Sequence, residues 1–211
     1  MKNLNIAVIG GTGKSGKFVV QQLLQQQFNL KLLLRDPQSF NIQDNNIEIQ
    51  KGDARDFNSV NALIKDCQLV ISTLGQPKGE KSIFSDATRN IIKAMKENGI
   101  KRYLVTTGLS VNTPYDAKNE KVQLATNWMY NNYPETTGDK QREYEILSQS
   151  DLDWTMIRLP LIKETNETFG YKVSLNDCLG DSISASDLGK FIVNEIAHKD
   201  YLRMCLFLYN E

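Results

Sequence analysis

A doubly wound, mostly parallel α/β sheet with a small C-terminal lobe is the fold class this sequence predicts, and two observations carry the prediction. Short apolar runs alternate with helical patterns along most of the chain, which argues for a parallel sheet covered by helices on both faces. The first of those runs, within LNIAVIGGTGKSG at Leu4–Gly16, passes straight into a glycine cluster and then into a helix-forming segment. A length of 211 residues suits one compact unit spanning residues 1–211, with a substantial core and no second full domain.

Strands are predicted at Leu4–Ile9, Asn29–Leu34, Ile47–Lys51, Leu69–Thr73, Arg102–Thr107 and Trp154–Arg158, with helices between them. One helix begins at Lys14. A second follows Asp56, whose carboxylate suits the N-cap of FNSVNALIKD. A third runs from about Ser82 to Asn98, with Ile83, Ala87, Ile91 and Met95 as its buried stripe and Gly99 as its stop. From Tyr115 to Ser150 the chain turns polar and aromatic and accommodates one or two helices. The tail reads as a helix, SDLGKFIVNEIAH, with Leu188, Phe191, Ile192 and Ile196 on one stripe, followed by the strand MCLFLY. There is no internal repeat, and the glutamines of QQLLQQQ are too few for low complexity.

The glycine cluster carries the chemistry. Gly10, Gly13 and Gly16 fit GxxGxxG, while Gly11, Gly13 and Gly16 fit GxGxxG. In a dinucleotide site the first glycine permits the turn off the strand, the second lets backbone approach the pyrophosphate, and the third packs helix on strand. The phosphates then rest on the helix N-terminus. A nucleoside triphosphate loop ending in Gly13-Lys14-Ser15 fails on spacing, because its first glycine would fall at Val8, and the strand Gln68–Thr73 offers no Asp for magnesium. A glycine-rich turn without a ligand is the bland alternative.

Charges balance to a formal zero and the pI is near 6.6, so no basic field suggests nucleic acid as a partner. The chain enters its first strand almost at once, without the signature of a secretory leader, and no apolar run approaches membrane-spanning length, so the expectation is a cytoplasmic protein. Cys67, Cys178 and Cys205 are odd in number and widely spaced, which reads as buried thiols with no disulfide framework and no metal site. The single histidine, His198, lies at a helix end beside Lys199 and reads as a surface residue.

The chain resembles the atypical short-chain dehydrogenase/reductase superfamily, in the NAD(P)H-binding branch that includes biliverdin IXβ and flavin reductases. The resemblance rests on VIGGTGKSG, KLLLRDP, KGDARD, STLG, ATRNIIKAMKENGIKRYLVTTG, DKQREYEILSQSDLDWTMIRLP and ISASDLGKF, in that order over nearly the whole chain. It implies a Rossmann-like fold and a nicotinamide cofactor. Arg35 closes the second strand, where a carboxylate reads the ribose of NAD and a guanidinium the 2′-phosphate of NADP. Asp36 follows it and offers the opposite sign, but before Pro37 it reads as a turn former, which favours NADPH with NAD as the alternative. Lys14 would add positive charge near the phosphates. The resemblance further implies that Asp53 and Ala54 touch the adenine and that Thr73, Leu74 and Gly75 line the cofactor's path. It extends the cofactor-binding set to Thr12, Ser15, Thr106 and Pro160.

The departures from the family pattern bear on the reaction. Carbonyl-reducing members use Tyr-x-x-x-Lys, the tyrosine as proton donor and the lysine to lower its pKa. Lys140 fits the lysine position, but Thr136 stands where the tyrosine belongs, and Tyr133 and Tyr144 are at the wrong offsets. The family serine is Thr107 here, and Leu161 replaces the histidine of biliverdin reductases. Thr107 and Lys140 are therefore the candidate catalytic residues. A planar conjugated acceptor such as a flavin, quinone or tetrapyrrole spreads incoming charge and can take its proton from water, so a missing tyrosine is tolerable. Tyr115, Trp128, Tyr130 and Tyr133 are the candidate stacking wall for such an acceptor, or else residues of a small core or interface. The expected function is an NADPH-dependent reductase, acting as a monomer or homodimer on a small planar molecule. The alternatives are an NADP(H)-sensing protein without turnover and, less favoured, a sugar-nucleotide epimerase or dehydratase.

Overall fold

The side chains of the first strand, β1 (Asn5–Ile9), alternate between two buried clusters: Ile6 and Val8 join one, Ala7 and Ile9 the other. A strand buried on both faces sits at the centre of a layered α/β fold. The computed structural model describes residues 4–211, residue 39 by its backbone alone. The chain continues through α1 (Gly16–Gln25), β2 (Asn29–Leu34), β3 (Ile47–Lys51), α2 (Phe57–Ile64), β4 (Leu69–Ser72), α3 (Phe84–Glu97), β5 (Arg102–Gly108), α4 (Glu120–Asn132) and α5 (Pro134–Ser148). Then follow β6 (Asp153–Leu159), β7 (Leu161–Lys163), β8 (Lys172–Ser174), β9 (Ser182–Ser184), α6 (Ala185–His198) and β10 (Met204–Tyr209).

The main sheet has the order β3-β2-β1-β4-β5-β6-β10-β8. Its pairings are parallel except that of β10 with β8. From β1 the chain winds outward to β3, then crosses back to β4 on the other side of β1, where Ile9 lies opposite Ser72. That reversal opens a crevice at the carboxyl ends of β1 and β4, the usual ligand position in such sheets.

Helices α1 and α6 pack together on one face, over Val8, Leu32 and Leu206, with Leu188, Phe191, Ile192 and Ile196 inward as the sequence pattern predicts. On the other face α2, α3 and α5 cover Ala7, Val70, Tyr103 and Met156. Each large apolar side chain fully buried in these layers contributes about 1.5–3 kcal/mol. Asp56 caps α2 as predicted, accepting from the N–H groups of Asn58 and Ser59. Gly99 ends α3 with φ at +69°, a conformation that suits glycine.

Several boundaries differ from the sequence reading. Helix α1 opens at Gly16 rather than Lys14, because the preceding residues complete a turn in which the Gly13 N–H donates to Gly10 O at 3.0 Å. Strands β7, β8 and β9 are three residues each, too short to show a periodic pattern. β7 and β9 pair with each other as a separate two-stranded sheet in the C-terminal lobe. Cys67 and Cys178 are buried, whereas Cys205 is only half-buried. Among the described residues no helix is long and apolar enough to cross a membrane.

Candidate functional site

The site is built on the turn between β1 and α1. Gly10 has φ at +85°, and a Cβ there would lie 2.7 Å from the Thr73 carbonyl, so only glycine lets the chain leave β1 this close to β4. A Cβ on Gly16 would overlap Gly10 O, which is why α1 can start directly against the turn. Gly13 is different. Its Cβ would meet Gly10 O at a tight 3.2 Å, and Gly13 also lines the open side of the turn. The close packing of the turn falls on Gly10 and Gly16 and its open side on Gly13, while Gly11 faces Val20 of α1. Thr73 locks the arrangement, its hydroxyl donating to Gly10 O at 3.0 Å. Ser15 stands at the N-cap of α1 without a side-chain bond to it, leaving that positive end to an anion.

A cleft runs across this turn in two connected parts that share Gly13, Lys14, Leu74 and Gly75. The larger, about 560 Å³, is lined by Gly10, Thr12, Arg35, Asp36, Asp53, Ala54 and Arg55 besides the shared residues. The smaller, about 340 Å³, is lined by Ser15, Thr73, Thr106, Thr107, Lys140 and the run Leu159–Ile162, which includes Pro160. A dinucleotide needs a groove of this kind, with a bare backbone cradle at its middle. The glycines fit that requirement, and so does an orphaned atom: the buried Thr107 hydroxyl in the smaller part has no hydrogen-bond partner among the described residues.

In the larger part Arg35 donates to Glu80 at 2.7 Å, and Arg55 does the same to the other oxygen of that carboxylate. Arg55 also forms a two-point pair with Asp53. These hydrogen bonds hold the Asp53 and Glu80 carboxyls below their usual range. Asp36 caps the short turn Pro37–Ser39, accepting from the Gln38 N–H at 3.1 Å, in keeping with its reading as a turn former. Arg55 and Glu80 were not among the sequence candidates. Arg55 had a signal, as a second cation on the turn after the strand beside β2. Glu80 had none.

In the smaller part the lysine is positioned by its neighbour. Asp139 on α5 accepts from Ser82 Oγ, Ser85 Oγ and the N–H groups of Phe84 and Ser85, so a carboxylate from another helix caps α3. This pins α5 against α3 and sets Lys140 with its Nζ 4.8 Å from the Phe84 ring centre and beside Gly108 at the cleft. Burial holds the Lys140 ammonium below the usual lysine range. One turn on, Glu143 is fully enclosed, accepts from Thr88 Oγ1 at 2.9 Å, and is pushed by burial up to about 8. Lys140 and Glu143 are thus both driven toward their neutral forms.

The structure does not bring Tyr115, Trp128, Tyr130 and Tyr133 to the cleft, which corrects the expected stacking wall. Helix α4 packs on α5 and, through Val122, on Phe207 and Tyr209 of β10, and its aromatic residues are not among those lining either part of the cleft. Trp128 and Tyr133 form an edge-to-face pair, 5.7 Å between ring centres, and both are exposed. Tyr130 is half-buried on the same helix. Tyr115 lines a separate hollow with Tyr144 and Trp154. Thr136 is also absent from the lining, and no tyrosine stands in for it among the described residues. His198 is exposed at the end of α6.

Comparisons with known proteins agree with this geometry. The sequence profile of a family described as NAD(P)H-binding matches residues 10–199. Among curated proteins, eugenol synthase 1 of Petunia hybrida is 38% identical over 110 residues, covering 46% of this chain and 33% of that protein. An isoflavone reductase homolog of Arabidopsis thaliana is 38% identical over 111 residues, 47% of this chain and 33% of its own. The aligned stretch is thus about a third of the length of these relatives. Among solved structures, the ChuY anaerobillin reductase from Escherichia coli O157:H7 superposes with a TM-score of 0.80 at 19% identity, over 98% of this chain and 97% of that one. A short-chain dehydrogenase/reductase from Veillonella parvula in complex with NADP gives 0.79 at 15% identity, over 98% and 94%. These structural likenesses speak to the fold. With most of its length matched by the profile, and with the glycine turn at the switch point of its sheet, the chain belongs to the NAD(P)H-binding family.

Proposed function

We propose that the protein is an NADPH-dependent oxidoreductase that reduces a small planar conjugated acceptor of the flavin, quinone or tetrapyrrole type. The observation that carries this reading is the continuous cleft, with the guanidinium groups of Arg35 and Arg55 in its larger part, bare at Gly13, and ending at the unpartnered Thr107 hydroxyl. Bound there, a reduced nicotinamide supplies hydride. Arg35 selects the phosphorylated cofactor, with Asp53 and Ala54 beside the adenine. Thr12, Ser15 and Lys14 hold the pyrophosphate over Gly13, and Thr73, Leu74, Gly75, Thr106 and Pro160 guide the rest of the chain of atoms. Thr107 donates a hydrogen bond at the reacting end. Lys140, whose ammonium burial holds below the usual lysine range, can accept or pass a proton there.

With no tyrosine lining that end, the proton for the acceptor comes from solvent, which suits a delocalised acceptor and disfavours simple alcohols and ketones. The run Leu159–Ile162 supplies the apolar wall that the aromatic residues of α4 do not. A reductase is also consistent with the names of the isoflavone reductase homolog and the anaerobillin reductase among the similar proteins. We place the protein in the cytoplasm as a one-domain enzyme, where its three free thiols persist.

The lack of a tyrosine donor favours a second reading, cofactor binding without turnover. Purified protein mixed with NADPH and a panel of flavins, quinones and tetrapyrroles, followed at the nicotinamide absorbance, separates the two. Acceptor-dependent NADPH oxidation supports the reductase. Tight NADPH binding with no oxidation by any acceptor contradicts it and favours the sensor.

A further inference from the structure

Arg35 and Arg55 stand on the turns that follow two adjacent parallel strands, β2 and β3, whose last registered pair is Leu34 with Lys51. Both guanidinium groups converge on one anion, Arg35 Nη1 on Glu80 Oε1 and Arg55 Nη1 on Glu80 Oε2, each at 2.7 Å. The remaining edge of Arg55 is held by its own turn, with Nε donating to Asp53 Oδ1 at 3.0 Å and Nη2 to Oδ2 at 2.7 Å. Asp53 therefore fixes the plane of Arg55 and leaves Nη1 aimed at whatever anion sits beside Arg35. Planar forks meeting on a shared anion suit phosphate well, since a phosphate offers an oxygen to each and carries more charge than a carboxylate.

The anion that sits there now belongs to the chain itself. Glu80 lies on the loop between β4 and α3, next to Gly79 with φ at +75°, and that loop forms the rim of the larger part of the cleft through Gln76 and Pro77. Pairs exposed to this degree are weak, so Glu80 adds little to folding and can exchange readily with a better-matched anion.

We propose that Arg55 reads the cofactor's 2′-phosphate together with Arg35, and that Glu80 holds the phosphate's place between them until the phosphate displaces it. The inference rests on the NADPH reading and goes beyond it in naming a second determinant and an internal competitor. Arg55 acts chiefly on ligands that carry the 2′-phosphate, and its hold on Asp53 bears alike on ligands with and without it. Glu80 opposes the same ligands and is silent toward the rest.

Calorimetric titration with adenosine 2′,5′-bisphosphate and with 5′-AMP, which differ only in the 2′-phosphate, tests this without any turnover. The unmodified protein should bind the bisphosphate about tenfold or more tightly than AMP. Arg55→Ala should shrink that ratio by about tenfold, as Arg35→Ala does, with Arg55→Lys in between because it keeps the charge and loses the fork. Glu80→Gln should raise bisphosphate affinity severalfold and leave AMP unchanged. Thermal melts confirm that each variant is folded. A full ratio in Arg55→Ala beside a collapsed one in Arg35→Ala overturns the role of Arg55 while the NADPH reading stands. Unchanged bisphosphate affinity in Glu80→Gln overturns the displacement. A ratio near one in the unmodified protein overturns the NADPH reading itself.

Discussion

At one end of the cleft Arg35, Asp53, Arg55 and Glu80 share hydrogen bonds while their side chains stay between 32% and 54% exposed. At the other end Thr106 and Thr107 are 8% and 6% exposed, and the lysine beside them is pressed toward neutrality by burial. The contrast follows from what each end must do. An exposed network of flexible charges recognises an anion by exchange, at little cost to the fold. A more enclosed end holds free charge at a cost, so it offers a hydroxyl, a lysine pressed toward neutrality and apolar walls, and relies on position. Substitutions at the exposed end should therefore change which cofactor binds. Those at the buried end should change rate or stability.

The largest effect is expected where the two ends meet. Gly13→Val places a branched side chain on the open side of the turn, and cofactor affinity should fall on the order of a hundredfold or more in a fluorescence titration. A Cβ at that position comes within 3.2 Å of the backbone oxygen of Gly10, so thermal melts on the same variant separate lost binding from a disturbed turn. Retained binding would mean that the turn is structural only. At the exposed end, Arg35→Ala should remove a preference of about ten- to a hundredfold for NADPH over NADH, leaving NADH binding nearly intact. Equal affinities in the unmodified protein would hand the ribose to Asp36.

At the buried end, Lys140→Ala and Thr107→Ala should each slow turnover by roughly tenfold or less, below the range of an indispensable acid or base. A loss of about a thousandfold in Lys140→Ala, with cofactor affinity unchanged, would instead establish an obligatory lysine proton relay. Stability at this end should depend on pH through Glu143. Its folded pKa, about 8, lies above the ordinary carboxylate value, so its protonated form contributes stability below about pH 4.3 that is lost as pH rises toward 8. Glu143→Gln should flatten that part of the profile in thermal melts, and an unchanged slope would place the titration elsewhere. The smallest effect is expected outside the cleft. Trp128→Ala should leave acceptor affinity unaltered, since its ring packs on Tyr133 at the surface and does not line the cleft.

The middle of the cleft was legible in sequence because its chemistry is contiguous. Leu4–Gly16 dictates strand, turn and helix within one segment, and the structure puts Thr12, Gly13 and Lys14 on the cleft wall and Gly16 behind it. Residues at strand ends, Arg35 and Asp53 among them, follow from strand order. What could not be read were contacts made by packing. The distance in sequence from Trp128 to Lys140 does not reveal that α4 packs on α5 with Trp128 turned to the surface. Nor does a polar loop announce that Glu80 will bridge two arginines. Asp139 could be read as a helix residue, but its service as the cap of α3 depends on a contact across 54 positions of chain.

Hydride transfer at the buried end is measured most directly in a single anaerobic turnover. Protein loaded with one equivalent of NADPH is mixed with excess oxidised flavin, and nicotinamide and flavin absorbance are followed together. The proposed reductase loses both in equal amounts, at a rate that saturates with flavin concentration and falls only modestly in Thr107→Ala. Tightly bound NADPH that persists unchanged through repeated trials with flavin, quinone and tetrapyrrole would contradict reductase function and leave a protein that binds the cofactor without spending it.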